Sequence, residues 1–413
     1  MAILVGSGKK LFTDDGIPYM WQSGDVTTAP NEVGIITASD ATTDDQFGYS
    51  VAVGSNRIVI GARETHVVNG DTLYHNTGSV YIYDLNQNEI DIINPSDRDN
   101  IDKFGSSVAV GCGKIVVGAP FDNNNGNYSG SAYIFDLDGN EVGIITASDG
   151  ASEDYFGTSV AVGCGKIVVG AYNKHVGSND DQGAAYIFDL DGNQLDILRA
   201  SDGADRDYFG VSVAVGCGRI VVGASGNDSY TGSAYIFDLN GNQLGILTAS
   251  DGTAGDYFGT SVAVGSGRIV VGARLYDVGS NFHQGAAYIF DLDGNEVDII
   301  TASDGASQDY FGSSVAVGSG RIVVGAYNKD VGSNDDQGAT YIFDLDGNEV
   351  DIITPSDGAA DDRFGYSVAV GDNRIVVGAY LAGITGINTT GKAYVYDTPL
   401  VYNLYDAIDL NYG

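Results

Sequence analysis

The chain of 413 residues carries 55 acidic against 19 basic side chains, a formal charge of −36, which excludes nucleic acid and anionic membrane surfaces as expected partners. Sixty glycines, six prolines and 43% apolar residues fit a globular protein rich in tight turns, and no apolar run nears the roughly eighteen residues that span a bilayer. The acidic excess has two open readings: a solvated coat that keeps the protein soluble, or a surface that collects divalent cations.

The N-terminal stretch "MAILVGSGKKLFTDDG" puts its apolar residues before its lysines. A secretory signal needs the charge first and a longer apolar core, so no cleavable signal is read here. Residues 1–31 hold the only tryptophan, Trp21. The first strand-like run, "EVGIITAS" (32–39), has no partners beside it in sequence.

From there one unit recurs. Phe-Gly occurs at Phe47, Phe104, Phe156, Phe209, Phe258, Phe311 and Phe364, and each is followed by a Gly-Ala at Gly61, Gly118, Gly170, Gly223, Gly272, Gly325 or Gly378. The third unit shows four apolar runs: "SVAVG" (159–163), "KIVVGA" (166–171), "AAYIFDL" (184–190) and "QLDILRA" (194–200). Short runs rich in Val, Ile, Tyr and Phe, bounded by Gly and Asp, read as strands and are too short for helices. The first two are joined by "GCGK"-type turns, the last two by "DLDGN" turns whose Asp-Gly tolerates positive φ. Each unit is therefore a four-stranded antiparallel meander. Its middle strands are apolar at nearly every position, so both faces of the small sheet must be covered, as in blades packed around an axis.

The chain ends complete the argument. The seventh unit has "YSVAVG", "RIVVGA" and "KAYVYD" but no fourth strand, and after Asp397 the pattern stops at "TPLVYNLYD". The orphan strand at 32–39 fills that gap, and is expected to pair near Ala393–Tyr396. The expected fold is an all-β, seven-bladed propeller over 32–397, closed by its N-terminal strand, with extensions at 1–31 and 398–413. Cys112, Cys164 and Cys217 sit in "GCG" turns where later units have Ser266 and Ser319. An odd number of thiols that alternate with serine argues against a disulfide framework.

The pattern "ASDGA-x-x-D-x-FG-x-SVAVG-x-x-x-IVVGA…G-x-AYIFDLDGN" resembles the FG-GAP repeat of integrin-α-like propellers, in its bacterial or phage-type variant. That resemblance implies a binding or adhesion role. It does not carry over the integrin-type calcium loop, because the first-to-second-strand links here are too short for a DxDxDG segment.

Strand alternation puts the second and fourth links on one face, and these are the long, variable ones. Binding is expected there. Its candidates are His66 and His75 in the first unit, Tyr172, Lys174 and His175 in the third, and Arg274, Tyr276 and His283 in the fifth. Tyr327 and Lys329 in the sixth and Tyr380 in the seventh complete the set. Tyrosines at 155, 208, 257 and 310 add to a possible amphipathic surface. Every inter-unit loop also reads S-D-x4-D-x-F-G, giving aspartate pairs from Asp40 and Asp45 to Asp357 and Asp362. These pairs either fix turns by accepting backbone N–H groups or hold a cation, calcium being the ion that suits them, with Asp149, Asp154, Asp304 and Asp309 as ligand candidates. No cofactor motif, nucleophile elbow, phosphate loop or histidine metal spacing is present. The favoured function is a non-enzymatic binding or structural component of a virion or extracellular surface, meeting a protein or glycan. Residues 1–31 and 398–413 are candidate docking arms onto other virion proteins. A bacterial cell-surface adhesion protein is the alternative, and a glycan-active hydrolase the second.

Overall fold

The computed structural model describes residues 4–5, 9–10, 29–69, 72–384 and 389–398. The chain divides into two units, Pro30–Leu400 and, separately, Met1–Ala29 with Val401–Gly413. In the second, Leu4–Val5 pairs antiparallel with Lys9–Lys10. Trp21 and nearly all of both expected docking arms lie outside the described residues.

Pro30–Leu400 forms seven four-stranded antiparallel sheets. The third is typical: Ser159–Gly163, Lys166–Ala171, Ala184–Phe188 and Gln194–Leu198 pair in sequence order. The first two match the expected runs, and the last two stop two residues short, where the chain turns. The seventh sheet runs Ser367–Gly371, Arg374–Ala379, Lys392–Asp397 and then Asn31–Ile36. Its register sets Asn31 against Asp397 and Ile36 against Ala393. The N-terminal strand thus closes the ring. An addition not read from the sequence is a hairpin in the long loop of the first blade, Val67–Asn69 with Thr72–Tyr74.

The middle strands are buried on both faces because the core lies between blades. One apolar cluster joins the second and third blades through Ile134, Ile145, Phe156, Ile167 and Tyr186. The cluster across the closure joins Ile36, Val376 and Val395 of the seventh blade to Phe47, Ile58 and Tyr81 of the first. Each Phe of the Phe-Gly pairs is fully buried. Phe156, for example, meets Tyr186 edge-on at 5.3 Å and Phe188 at 6.0 Å. Burial of such a ring contributes roughly 1.5–3 kcal/mol, and there is one per junction.

The two glycine signatures turn out to be halves of one contact. A Cβ on Gly118, from a Gly-Ala pair, would stand 2.0 Å from the carbonyl oxygen of Gly157, from the next blade's Phe-Gly. Only glycine allows that approach. The same carbonyl accepts the Ser107 hydroxyl at 2.8 Å. Equivalent Ser-to-Gly bonds recur at every junction and return to the start with Ser367 Oγ donating to Gly48 O at 2.8 Å. These serines line the axial channel, whose valine-lined part has a volume of 220 Å³ and whose hydroxyl-lined part has 310 Å³.

Candidate functional site

The hydroxyl-lined end of the channel opens between the long loops, and tyrosines gather around it. Two positions per blade supply them: the residue before Phe-Gly (Tyr155, Tyr208, Tyr257, Tyr310) and the residue after Gly-Ala (Tyr172, Tyr327, Tyr380). Both positions flank a blade junction, so rings from neighbouring blades meet. Tyr155 stacks on Tyr172 with centroids 5.7 Å apart, and Tyr172 meets Tyr208 at 5.8 Å. Tyr208, Tyr230 and Tyr257 continue the line. The Arg274 guanidinium lies 5.5 Å over Tyr257, and Tyr310 meets Tyr327 at 5.6 Å. Tyr327, Tyr366 and Tyr380 then lead to Tyr49, over which the Arg63 guanidinium sits at 3.6 Å. The rings are half-buried. The band breaks between the first and second blades, where Lys103 pairs with Glu64.

The structure therefore brings together Tyr172, Arg274, Tyr327 and Tyr380 from the sequence candidates. It adds Tyr49, Tyr366 and Tyr230, whose positions in the pattern gave no signal because other units place Ser, Thr, Val or Asn-rich loops there. Burial pushes the phenols of Tyr155, Tyr172, Tyr208, Tyr327 and Tyr380 up, so these five stay neutral at physiological pH.

Of the histidines only His283 reaches the band, its ring 6.4 Å from that of Tyr310. His66 and His75, nine residues apart, are brought to 5.0 Å between ring centroids, and His66 Nδ1 accepts the Asn76 amide at 3.0 Å. His175 is exposed and accepts the Asp181 amide, while His283 stacks on Phe282.

The aspartate pairs are built alike in all seven blades. The first aspartate accepts a hydroxyl from the buried third-strand tyrosine: Tyr186 to Asp149 at 2.7 Å and Tyr341 to Asp304 at 2.6 Å are two of the seven. The second is buried and accepts the backbone amide three residues before it, Ala151 to Asp154 and Ala306 to Asp309, both at 2.7 Å. This is the turn-fixing geometry. Asp136 and its equivalents in the Asp-Gly turns do the same, accepting the amides of Asp138 and Asn140, and the Asn140 side chain holds the Asp136 carboxyl below its usual range.

Lys174 and Lys329 are a correction to the sequence reading: both are buried and do not project into solvent, whereas Tyr276 is half-buried. Lys174 is buried, with Nζ 2.9 Å from Asp154 Oδ2 and bonded to the Asp149 carbonyl. Lys329 repeats this with Asp309 at 3.1 Å and the Asp304 carbonyl. Tyr276 donates its hydroxyl to Asp251 at 2.7 Å. The four carboxylates offered as metal ligands thus already have an ammonium among them, supplied by the chain. Buried carboxylates are retained where such partners offset the loss of hydration.

The three thiols are free and exposed on the opposite face. Cys112 has a φ of 52°, a left-handed turn position rather than a packed one. No helix among the described residues is long and apolar enough to cross a membrane.

Seven successive stretches, 30–83, 88–135, 140–188, 193–237, 242–290, 295–343 and 348–396, match the family model described as FG-GAP repeat. No curated protein matches the chain.

Proposed function

The chain belongs to the FG-GAP repeat family, and on that premise we propose that it is a non-enzymatic binding propeller which meets a surface-borne protein or glycan through the tyrosine band. The observation that carries this is the band itself: half-open aromatic rings and two arginines held by seven interlocked blades. Rigid aromatic area costs little conformational entropy on binding and suits both peptide and sugar faces. The lining of the channel mouth contains hydroxyls and valines but no acid, histidine or thiol, which weighs against the hydrolase alternative. A virion or extracellular surface remains the favoured setting, with a bacterial adhesion protein as the alternative. The expected arms at 1–31 and 398–413 would dock onto the larger assembly.

The test measures binding of the intact chain to cells and to glycan and peptide arrays, alongside Tyr155→Ala, Tyr208→Ala and the opposite-face variant Asp138→Ala. Loss of a band tyrosine should weaken binding about tenfold or more at unchanged melting temperature, and Asp138→Ala should leave it intact. Equal loss from both faces, or none from the band, rejects the proposal.

A further inference from the structure

The slot that follows each Gly-Ala pair holds tyrosine in three blades and arginine in two, Arg63 and Arg274. The arginines are held differently. Arg63 Nε donates to Gln46 Oε1 at 2.9 Å, and its guanidinium sits 3.6 Å over Tyr49 and 3.7 Å from Glu64. Arg363, beside the same band, pairs with Asp336 at 2.9 Å and Asp361 at 3.6 Å. Arg274 pairs with no carboxylate among the described residues, although the chain carries 55 acids against 19 bases. Its side chain is half-buried, and its Nε is buried with no hydrogen-bond partner. A buried donor left unmatched costs stability, so this guanidinium is held open at a cost to the fold.

Its surroundings are aromatic and hydroxylic. Tyr257 lies under the guanidinium, and burial pushes the Tyr327 phenol up while the Arg274 charge opposes that rise, which makes the two neighbours. Beyond Tyr310 the wall continues through His283 to Phe282, stacked on each other at 3.5 Å, and Phe282 is 53% exposed. Thr260 and Ser313 of the channel wall come from the same two blades. The acids of these loops are engaged by their own turns. Asp256 is buried and accepts the Thr253 amide at 2.6 Å, Asp251 accepts the hydroxyls of Tyr276 and Tyr288, and Asp277 accepts the His283 amide at 2.7 Å. One cation therefore stands among phenols and hydroxyls with no anion of its own.

We propose that Arg274 receives the carboxylate of an acidic sugar, a uronic or sialic type of residue, whose pyranose ring lies against the neighbouring aromatics. The inference rests on the band being the binding surface, and it narrows the ligand from protein or glycan to a glycan that carries a carboxylate. A planar guanidinium presents paired N–H donors that match both oxygens of a carboxylate. The C–H face of a pyranose packs on aromatic rings, and phenols and aliphatic hydroxyls both donate and accept, as sugar hydroxyls require. A peptide's terminal carboxylate meets the same guanidinium. Ring faces and hydroxyls at Tyr257, Tyr327, Thr260 and Ser313 are the contacts a sugar makes, and they favour the glycan.

The test measures binding of the intact chain to uronic-acid and sialic-acid glycans, to the methyl esters of the same glycans, and to peptides with free or amidated C-termini. The parent should bind the acids about tenfold or more tighter than their esters. Arg274→Gln should weaken the acids by that factor, change the esters less than about twofold, and leave the melting temperature in place. Arg274→Lys should recover only part of the acid preference, because a point charge lacks the paired donors. Arg219→Gln, on the opposite face, should leave every affinity as it was. Equal binding of acids and esters by the parent overturns the inference, as does an acid preference that survives Arg274→Gln, or binding confined to peptides with a free C-terminus. The band itself is judged separately, by whether Tyr155→Ala and Tyr208→Ala weaken whatever ligand is bound.

Discussion

Replacing Ile36 by alanine tests the closure without disturbing any loop. Ile36 lies in the N-terminal strand, is 4% exposed, and packs with Phe47 and Tyr81 across the junction between the last and first blades. Ile145 is its counterpart in the second blade, also 4% exposed, and packs with Phe156 and Tyr186. The two differ in one respect: Ile145 is ten residues from its partner strand, whereas Ile36 meets a strand from the far end of the chain. Removing three buried carbons from a site that cannot collapse costs about 2–5 kcal/mol. If Asn31–Ile36 is truly the fourth strand of the last blade, Ile36→Ala and Ile145→Ala should fall in that range and within about 1 kcal/mol of each other. Urea unfolding followed by fluorescence and far-ultraviolet dichroism measures both. An Ile36→Ala change below about 0.5 kcal/mol beside a full Ile145→Ala loss would refute the closed ring.

Lys174→Met leaves Asp154, 1% exposed, without its ammonium, and should cost about 3–5 kcal/mol; Lys174→Met with Asp154→Asn should recover most of it in the same melts. Asp102, with its folded pKa raised to about 7, binds a proton in the native state that the unfolded chain has already released above about pH 4. The stability penalty is therefore absent near pH 4 and complete above pH 7, so native stability should fall across that window. Asp102→Asn should remove the fall and gain on the order of 2–4 kcal/mol at pH 8 but little at pH 4, and a gain independent of pH would contradict the assignment.

The architecture was readable because every unit repeats the same instructions. Valine and isoleucine runs bounded by Gly-x-Gly and Asp-Gly turns fix strand ends to within two residues, and one orphan strand faced one incomplete sheet. The link between Phe-Gly and Gly-Ala was not readable, since it joins Gly157 of one blade to Gly118 of the previous one through a carbonyl that leaves no trace in side-chain pattern. The tyrosine band was half legible: Tyr172, Tyr327 and Tyr380 stood out, but Tyr49 and Tyr366 occupy a position filled elsewhere by Ser106 or Thr158. Lys174 and Lys329 misled because a lysine in a variable loop reads as solvated, and the carboxylate that buries each lies twenty residues upstream. A signal was there all the same. Aligning the units on Gly-Ala sets those lysines opposite Asp122.

The register of the closing strand also decides how the ring responds to pulling. Asn31 stands beside Asp397, so the chain enters and leaves the propeller at one corner. Tension applied through both ends peels the two strands apart one pair at a time, beginning at that corner, as a zipper opens. The same ladder drawn lengthwise would have to break all its bonds at once. A tether through one end leaves the zipper unloaded, and the interlocked blades stay shut while a ligand on the loop face pulls against the anchor. A tether through both ends makes the clasp the first part to yield.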